Sequence, residues 1–239
     1  MALNDWRRCG ATPQNFVTGR LQVCFGDQPI TTFESNKVRA LLAYLVVEAE
    51  RPQSREALAA LLWPDYPQGS ALTNLRYALS NLRQSIGDRE AQPPFLLITR
   101  ESIQFNAASN HWLDVAIFVS LAAKSQIESL EQATALYRGD FLSGFFVSES
   151  APFEEWVARR REGFHRQAMR VLSCLANSAK QRGEYEQAQN YAHKQLELEP
   201  WSEEAHQQIM HALALAGQRS AALAQYEICR RSLAKELGV

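Results

Sequence analysis

The sequence predicts a mixed fold, an α+β domain followed by an all-α domain. Within the first 110 residues, runs that alternate apolar and polar residues stand on both sides of segments with helical periodicity. From Asp114 onward every periodic segment is helical. Gly183 and Gly217 lie 34 residues apart, as do Ala188 and Ala222, a spacing that indicates a repeated pair of helices. The length of 239 residues suits two domains.

Two hairpins are predicted in the first domain. Residues 1–15 show no periodicity, and we expect a loose tail there. Apolar and polar residues then alternate over 21–25, ahead of a turn signal at 26–28. The second hairpin is predicted over 95–106, with residues 100–102 at its turn.

Three helices are predicted between the hairpins, over 37–49, 55–63 and 70–86. Ser54 is the expected N-cap of the second helix, and Pro64 stops it. The third helix gives the strongest periodic signal in the chain, because apolar residues recur every three or four positions along it. This apolar stripe consists of Leu72, Leu75, Leu79, Leu82 and Ile86.

The second half of the chain predicts six helices. Residues 138–152 form one long irregular connection among them. The predicted helices are 115–125, 127–137, 152–182, 184–198, 202–216 and 219–236.

The last helices contain an internal repeat of tetratricopeptide (TPR) length. In each copy a glycine, Gly183 or Gly217, ends one helix and an alanine lies on the next. Aromatic residues on stacked repeat helices usually belong to the core. We therefore expect four of them to be structural: Tyr185, Tyr191, Trp201 and Tyr226.

The charge of the chain is nearly balanced, with a formal net charge of −1. Residues 1–110 contain 11 Lys and Arg against 10 Asp and Glu, and residues 111–239 contain 14 against 16. A chain of this kind can bind nucleic acid only if its basic residues are concentrated locally. Because neither an apolar run of about 18 residues nor a signal-peptide segment is found, we expect a cytoplasmic protein without a membrane span.

Signatures of catalysis and of metal binding are absent from the sequence. The phosphate-binding, dinucleotide-binding, zinc-protease and serine-hydrolase motifs do not occur. His206 and His211 are five residues apart on a predicted helix and point in different directions. The four cysteines are widely separated, so that we expect reduced structural thiols. We expect no catalytic residue, no cofactor and no metal.

The polar face of the helix over 70–86 contains no acidic residue. A helix that enters the major groove of DNA needs donors and acceptors for base edges and phosphates, and Arg, Asn and Gln provide the bidentate geometries. An ordinary solvated face is the alternative, although such faces usually mix Glu with Lys. The candidate DNA-binding residues of this face are Thr73, Asn74, Arg76, Tyr77, Ser80, Asn81, Arg83 and Gln84.

Four basic residues outside this helix are further candidates for DNA contacts. Arg100 at the tip of the second hairpin can reach a minor groove or a phosphate, and Lys37, Arg39 and Arg55 near helix starts can reach backbone phosphates. Each of them alone is equally compatible with a solvated surface residue.

Residues 159–161 are three consecutive arginines, close to Glu154, Glu155 and Trp156. The simpler interpretation is a solvated helix face with pairs such as Glu155 and Arg159. The alternative is a docking surface for the DNA-binding domain or for RNA polymerase.

Four segments in order resemble the Streptomyces antibiotic regulatory protein family: RLQVCFGDQPI, KVRALLAYLVVEAERPQSREALAALLWPD, ALTNLRYALSNLRQSI and LLITRESIQF. In that family a winged helix of the OmpR type is followed by a bacterial transcriptional activator domain with a TPR-like fold. Segments similar to this second domain are WLDVAIFVSL, LYRGDFLSGF and EEWVARRRE. The resemblance implies an α+β winged helix-turn-helix domain over 16–108 and an all-α TPR-like domain over 111–239.

The function that the resemblance implies is transcription regulation, with activation as the expected output. It implies binding to double-stranded DNA at promoter direct repeats, often as a homodimer, with 70–86 as recognition helix and 95–106 as wing. Arg76, Asn81 and Arg83 would contact bases or phosphates. RNA polymerase is an expected partner, and a sensor or nucleotide-binding module is expected beyond residue 239.

A protein-interaction module of the TPR type is the alternative function. In that case the winged helix binds protein rather than DNA. The near-neutral charge keeps this hypothesis open, because phosphate neutralisation normally dominates DNA affinity.

Overall fold

The computed structural model of the protein describes residues 13–16, 18, 19, 21–25 and 28–238. The strands among these residues are β1 (Pro13–Phe16), β2 (Gln22–Phe25), β3 (Gln28–Pro29), β4 (Gln53–Ser54), β5 (Leu96–Ile98), β6 (Ser102–Phe105) and β7 (Trp112–Leu113). The helices are α1 (Asn36–Val47), α2 (Arg55–Leu62), α3 (Gln68–Ser85), α4 (Asp114–Ala122), α5 (Ile127–Leu136), α6 (Ala151–Gln181), α7 (Tyr185–Leu198), α8 (Glu203–Leu215) and α9 (Arg219–Leu237). None of the helices in these ranges is both long and apolar enough to cross a membrane.

The first sheet has four strands in the order β3-β2-β1-β7. The expected hairpin is confirmed by the antiparallel pairing of β2 with β3, although residues 26 and 27 of its turn lie outside the described residues. The tail expected over 1–15 is wrong for residues 13–15, which belong to β1 and pair with β2 and β7. Backbone hydrogen bonds to neighbouring strands stabilise β1, and an alternation pattern does not record them. Residues 1–12 lie outside the described residues.

Helices α1, α2 and α3 form within two residues of the predicted bounds. The hydroxyl of Ser35 accepts a hydrogen bond from the Val38 amide and caps α1, and the hydroxyl of Ser54 accepts one from the Ala57 amide, as expected for α2. Helix α3 packs against α1 and α2 through Leu75, Leu79 and Leu82, which are buried.

The second sheet completes a winged helix-turn-helix fold. Strands β5 and β6 form the predicted second hairpin, and the sheet has the order β4-β6-β5. Strand β4 was not predicted, because its two residues are too few to show alternation. Its pairing with β6 joins the start of α2 to the hairpin.

The chain divides into two compact units. One unit combines the described residues up to Phe118 with residues 136–164, and the other combines residues 119–135 with residues 165–238. This division differs from the predicted domains over 16–108 and 111–239. The difference arises because residues 136–164 contribute Phe141, Phe153, Trp156 and Phe164 to the aromatic core of the first unit.

A buried polar cluster fastens the first sheet within the first unit. The backbone amide of Thr18 donates to Asp114 Oδ2 at 2.9 Å, and the Thr18 hydroxyl lies 2.6 Å from the same oxygen. Asp114 Oδ1 accepts from the Val115 amide at the start of α4. These bonds satisfy a carboxylate that has no exposed surface.

The second unit contains the predicted repeat. Gly183 and Gly217 have φ angles of +78° and +77°, and the residue after each donates its amide to a carbonyl five residues earlier. The same type of glycine-based helix end therefore occurs twice, 34 residues apart. A residue with a Cβ would be strained at either glycine position. Tyr191 is buried as expected, but Trp201 and Tyr226 are 41% and 53% exposed, so that the prediction of a core position is wrong for these two.

Candidate nucleic-acid interface

Helix α3 presents one exposed side that its buried leucines leave free. Thr73, Arg76, Tyr77 and Ser80 are exposed on it, and the helix contains no acidic residue among Gln68–Ser85. The Thr73 hydroxyl donates to the Gly69 carbonyl at 2.9 Å, which occupies its proton within the helix. Arg76, Tyr77 and Ser80 make no side-chain hydrogen bond among the described residues, so that their polar groups are free to bind a ligand.

Five arginines line one open groove of about 470 Å³ between α3 and the β5–β6 hairpin. We call it the arginine groove. Its other lining residues are Leu79, Ser80 and Ile98, so that no acidic residue lines it. Arginine stays protonated at every physiological pH, and five such charges in one concavity attract an anion strongly. The arginines are Arg55, Arg76, Arg83, Arg89 and Arg100.

Two of the five arginines are held by the protein itself. Arg55 donates from Nε and Nη2 to the Thr99 carbonyl at 3.2 and 2.9 Å, which ties the start of α2 to the hairpin. Arg83 donates from Nε to Asp88 Oδ2 at 2.8 Å. Both side chains are thereby oriented at the edge of the groove rather than free in solvent.

The other three arginines, Arg76, Arg89 and Arg100, make no ion pair with any carboxylate among the described residues. All three are exposed. Guanidinium groups without a partner in the protein can give all of their donors to a ligand, and their planar forks match phosphate oxygens and the edge of guanine.

The hairpin turn that carries Arg100 is well ordered by its own hydrogen bonds. The Thr99 hydroxyl oxygen accepts from the Glu101 and Ser102 amides at 3.2 and 2.9 Å, and the Thr99 amide donates to the Ser102 carbonyl at 2.9 Å. Arg100 therefore lies at the tip of the hairpin, where the sequence predicts it.

Three of the candidate residues lie in a second groove beside α3, which is separate from the arginine groove. Lys37, Asn74 and Tyr77 line it together with the rings of Trp63 and Tyr66. Lys37 Nζ lies 5.4 Å from the Trp63 ring centroid and 5.7 Å from that of Tyr66, a cation–π arrangement. Burial lowers the pKa of Lys37, against the opposite influence of Glu149 and Asp65.

Asn81 does not lie on the exposed side of α3, and the expectation that it does is wrong. It is 8% exposed, and its Oδ1 accepts a hydrogen bond from the Glu34 amide at 3.1 Å. Gln84 is exposed, but it lines a separate depression with Glu90 and Phe95. Of the residues predicted on α3, the structure brings Arg76, Ser80 and Arg83 together in the arginine groove.

Arg89 is the groove residue that sequence reasoning missed. It follows the predicted end of the third helix and stands outside the periodic pattern. A signal was present, because Arg89 comes directly after the turn at Gly87 and Asp88, which leads to the wing. Loops and turns next to a binding element often carry functional residues.

Two arginines of the run at 159–161, Arg160 and Arg161, form hydrogen bonds with other residues of the first unit. Arg160 donates from Nε to Glu48 Oε1 at 2.9 Å, and the Trp156 indole donates to the same oxygen at 2.7 Å. Burial alone would raise the pKa of Glu48, but these hydrogen bonds outweigh it and hold the pKa below its usual value. Glu155 and Arg159, both described, form no ion pair, so that the expected solvated pair is not observed.

A model of one protein family matches more than half of the chain. The family is described as the bacterial transcriptional activator domain, and it matches residues 119–239. Among curated proteins, the transcriptional regulatory protein EmbR of Mycobacterium bovis and that of Mycobacterium tuberculosis are each 26% identical over 237 residues, which cover 93% of this chain. The chain spans 58% of the length of these relatives.

A solved structure of Mycobacterium tuberculosis EmbR in complex with a low-affinity phosphopeptide has the same fold. The TM-score is 0.73 at 22% sequence identity, and the match covers 95% of this chain and 61% of the other. The predicted fold class, a winged helix-turn-helix domain followed by a helical TPR-like domain, is confirmed by this likeness.

Proposed function

Because the chain belongs to the bacterial transcriptional activator domain family, we propose that it regulates transcription by binding double-stranded DNA through the arginine groove. The observation that supports this most directly is a groove with five arginines and no acidic residue in a chain whose net charge is −1. A random scatter of 25 basic and 26 acidic residues would mix both signs in such a groove.

In this proposal α3 is the recognition helix and the β5–β6 hairpin is the wing. Arg76 and Ser80 lie on the exposed side of α3 and are the candidates for base contacts in the major groove. Arg89 and Arg100 lie toward the hairpin, and they are candidates for phosphate or minor-groove contacts.

Lys37, Asn74 and Tyr77 are proposed to contact the DNA backbone from the second groove beside α3. Their groove is distinct from the arginine groove, which fits a helix that lies between two sugar–phosphate strands. Thr73 and Gln84 are exposed and stay candidates with a smaller share of the contacts. Arg55 contributes charge while its guanidinium holds the wing.

The family resemblance supplies the rest of the proposal. We infer binding to direct repeats in promoters, activation through contact with RNA polymerase, and pairing of two copies on DNA. A sensor or nucleotide-binding module beyond residue 239 is proposed on the same resemblance. In this proposal none of the described residues acts in catalysis.

A protein-interaction function is the second candidate, and exposed aromatic residues favour it. Tyr77, Phe146 and Tyr66 are 71%, 63% and 44% exposed, and all three line the groove that contains Lys37. Exposed aromatic clusters are typical of protein interfaces. In this alternative the winged helix binds a protein, and DNA affinity is weak and independent of sequence.

Selection from random DNA duplexes distinguishes the two candidates. We expect the purified chain to enrich one motif, and we expect Arg76→Ala with Arg100→Ala to lose that enrichment while staying folded. Each replaced arginine that contacts a base should cost about 1–3 kcal/mol of binding free energy. The matched control is Arg219→Ala, which removes an exposed arginine of α9. Equal enrichment by the double variant and the unchanged chain would contradict the assignment of the groove.

A further inference from the structure

Asp88 is a buried carboxylate at the edge of the arginine groove. It is 2% exposed, and its two oxygens bind two different elements. Oδ2 accepts from Arg83 Nε at 2.8 Å, and Oδ1 accepts from the Leu96 amide at 2.9 Å. One side chain therefore joins the last turn of α3 to the first residue of β5, which are the two walls of the groove.

The turn after α3 places this carboxylate. Gly87 has a φ angle of +64°, which a residue with a Cβ adopts only with strain. The chain reverses there, and the Asp88 amide donates to the Arg83 carbonyl at 2.9 Å. Backbone and side chain of Asp88 thus both hold Arg83.

The bond to Asp88 uses one nitrogen of Arg83 and leaves two. Its Nη1 and Nη2 groups donate to no atom among the described residues, and the side chain lines the arginine groove. A guanidinium is a rigid planar fork, so that fixing Nε fixes the direction of both Nη groups. Ordering an arginine in advance removes the entropy that a flexible side chain would lose on binding.

We propose that Asp88 is a positioning residue for DNA binding, which holds Arg83 and the wing so that the protein binds DNA more tightly with this negative charge than without it. The inference rests on the proposed function of the arginine groove. Simple electrostatics predicts the opposite effect, because removal of a carboxylate beside a phosphate-binding groove should strengthen binding.

Asp88→Asn is the variant that isolates the effect. An asparagine has nearly the same shape, and its Oδ1 still accepts from the Leu96 amide. Its Nδ2 donates rather than accepts, so that it repels Arg83 Nε. We expect the affinity for the selected duplex to fall by on the order of ten-fold at fixed salt, comparable to the loss of one arginine contact.

Two comparisons separate positioning from a general loss of structure. In a chain with Arg83→Ala, Asp88→Asn should leave the affinity unchanged, since the group that it positions is gone. Glu90→Gln is the matched control, because it removes an exposed carboxylate two residues away. This control should bind DNA as tightly as the unchanged chain or more tightly.

A second variant covers the case in which Asp88→Asn does not fold. Arg83→Lys keeps the charge, but its ammonium lacks a fixed fork, and we expect a similar loss of affinity. Circular dichroism melting shows that each variant is folded at the assay temperature. The proposal is overturned if either folded variant binds as tightly as the unchanged chain, or if Asp88→Asn costs the same factor without Arg83. Failure of the unchanged chain to bind DNA would overturn the proposed function instead.

Discussion

Asn81 and Arg76 lie five positions apart on α3, yet one is buried and the other is exposed. Five residues correspond to a rotation of about 140° around a helix, which moves a side chain from one face toward the other. The sequence shows Asn81 as a polar residue beside the leucine stripe, and nothing in the pattern records that the Glu34 amide needs an acceptor there. The residue is a structural one.

Asn81→Ala tests this assignment. The substitution leaves the Glu34 amide without its acceptor, and we expect the free energy of unfolding to fall by about 1 kcal/mol. Urea denaturation measures the loss. The control Gln84→Ala changes an exposed residue one turn later and should stay within about 0.5 kcal/mol of the unchanged chain. A stable Asn81→Ala protein with weakened DNA binding would return Asn81 to the candidate contacts.

At the scale of elements, long-range hydrogen bonds decide how helices and the wing are joined. Arg55 ties α2 to the hairpin through the Thr99 carbonyl, and Glu48 after α1 receives Arg160 and Trp156 of α6. The latter pair lies more than 100 residues away in sequence. Three consecutive arginines in a sequence indicate charge, but they do not tell which carboxylate one of them binds.

The bond between Glu48 and Arg160 makes stability depend on pH. The pKa of Glu48 is lower in the folded protein than its ordinary value of 4.5, because the hydrogen bonds outweigh burial. The folded state therefore takes up this proton less readily than the unfolded chain. The contribution of the Glu48 carboxylate to the free energy of unfolding is complete above the unfolded pKa and is lost as pH falls through the folded pKa.

Glu48→Gln should therefore unfold more easily than the unchanged chain at pH 7, and the difference should shrink below a pH of about 4.5. Urea unfolding between pH 7 and pH 3 measures it. Glu50→Gln serves as the control, because Glu50 is exposed and close in sequence. A difference that is the same at both ends of this range would show that Glu48 acts through packing rather than charge.

At the scale of the whole molecule, the net charge is slightly negative, whereas the arginine groove is strongly positive. The chain has a net charge of −1, but five arginines line a groove that contains no acidic residue. Affinity for DNA depends on the charges that meet phosphates and displace counterions, and the average charge of the protein contributes little at a distance beyond the Debye length. A nearly neutral protein can therefore bind DNA with a strong dependence on salt.

The dependence of DNA affinity on salt concentration tests whether the arginine groove binds DNA phosphates. We expect a plot of log affinity against log salt concentration to have a slope of about −3 to −5, since the groove offers five arginines. Arg89→Ala with Arg100→Ala should reduce the magnitude of that slope by about 2, because both residues are candidates for phosphate contacts. Fluorescence anisotropy at four or more salt concentrations gives both values. A slope near zero would favour the protein-interaction function.

The sequence by itself determined the order and type of nearly all the long elements. The leucine stripe of α3, the Ser54 cap and the two glycines 34 residues apart each act over a few neighbouring residues, and a local pattern records such forces. It also identified Arg76 and Arg100 as candidate DNA-binding residues, and both line the arginine groove. The tertiary structure decided the pairing of β1, β4 and β7, the burial of Asn81, and the bonds of Arg83 with Asp88 and of Arg160 with Glu48. Those outcomes depend on which groups meet across the fold, because a buried polar atom must find its partner wherever the backbone brings one.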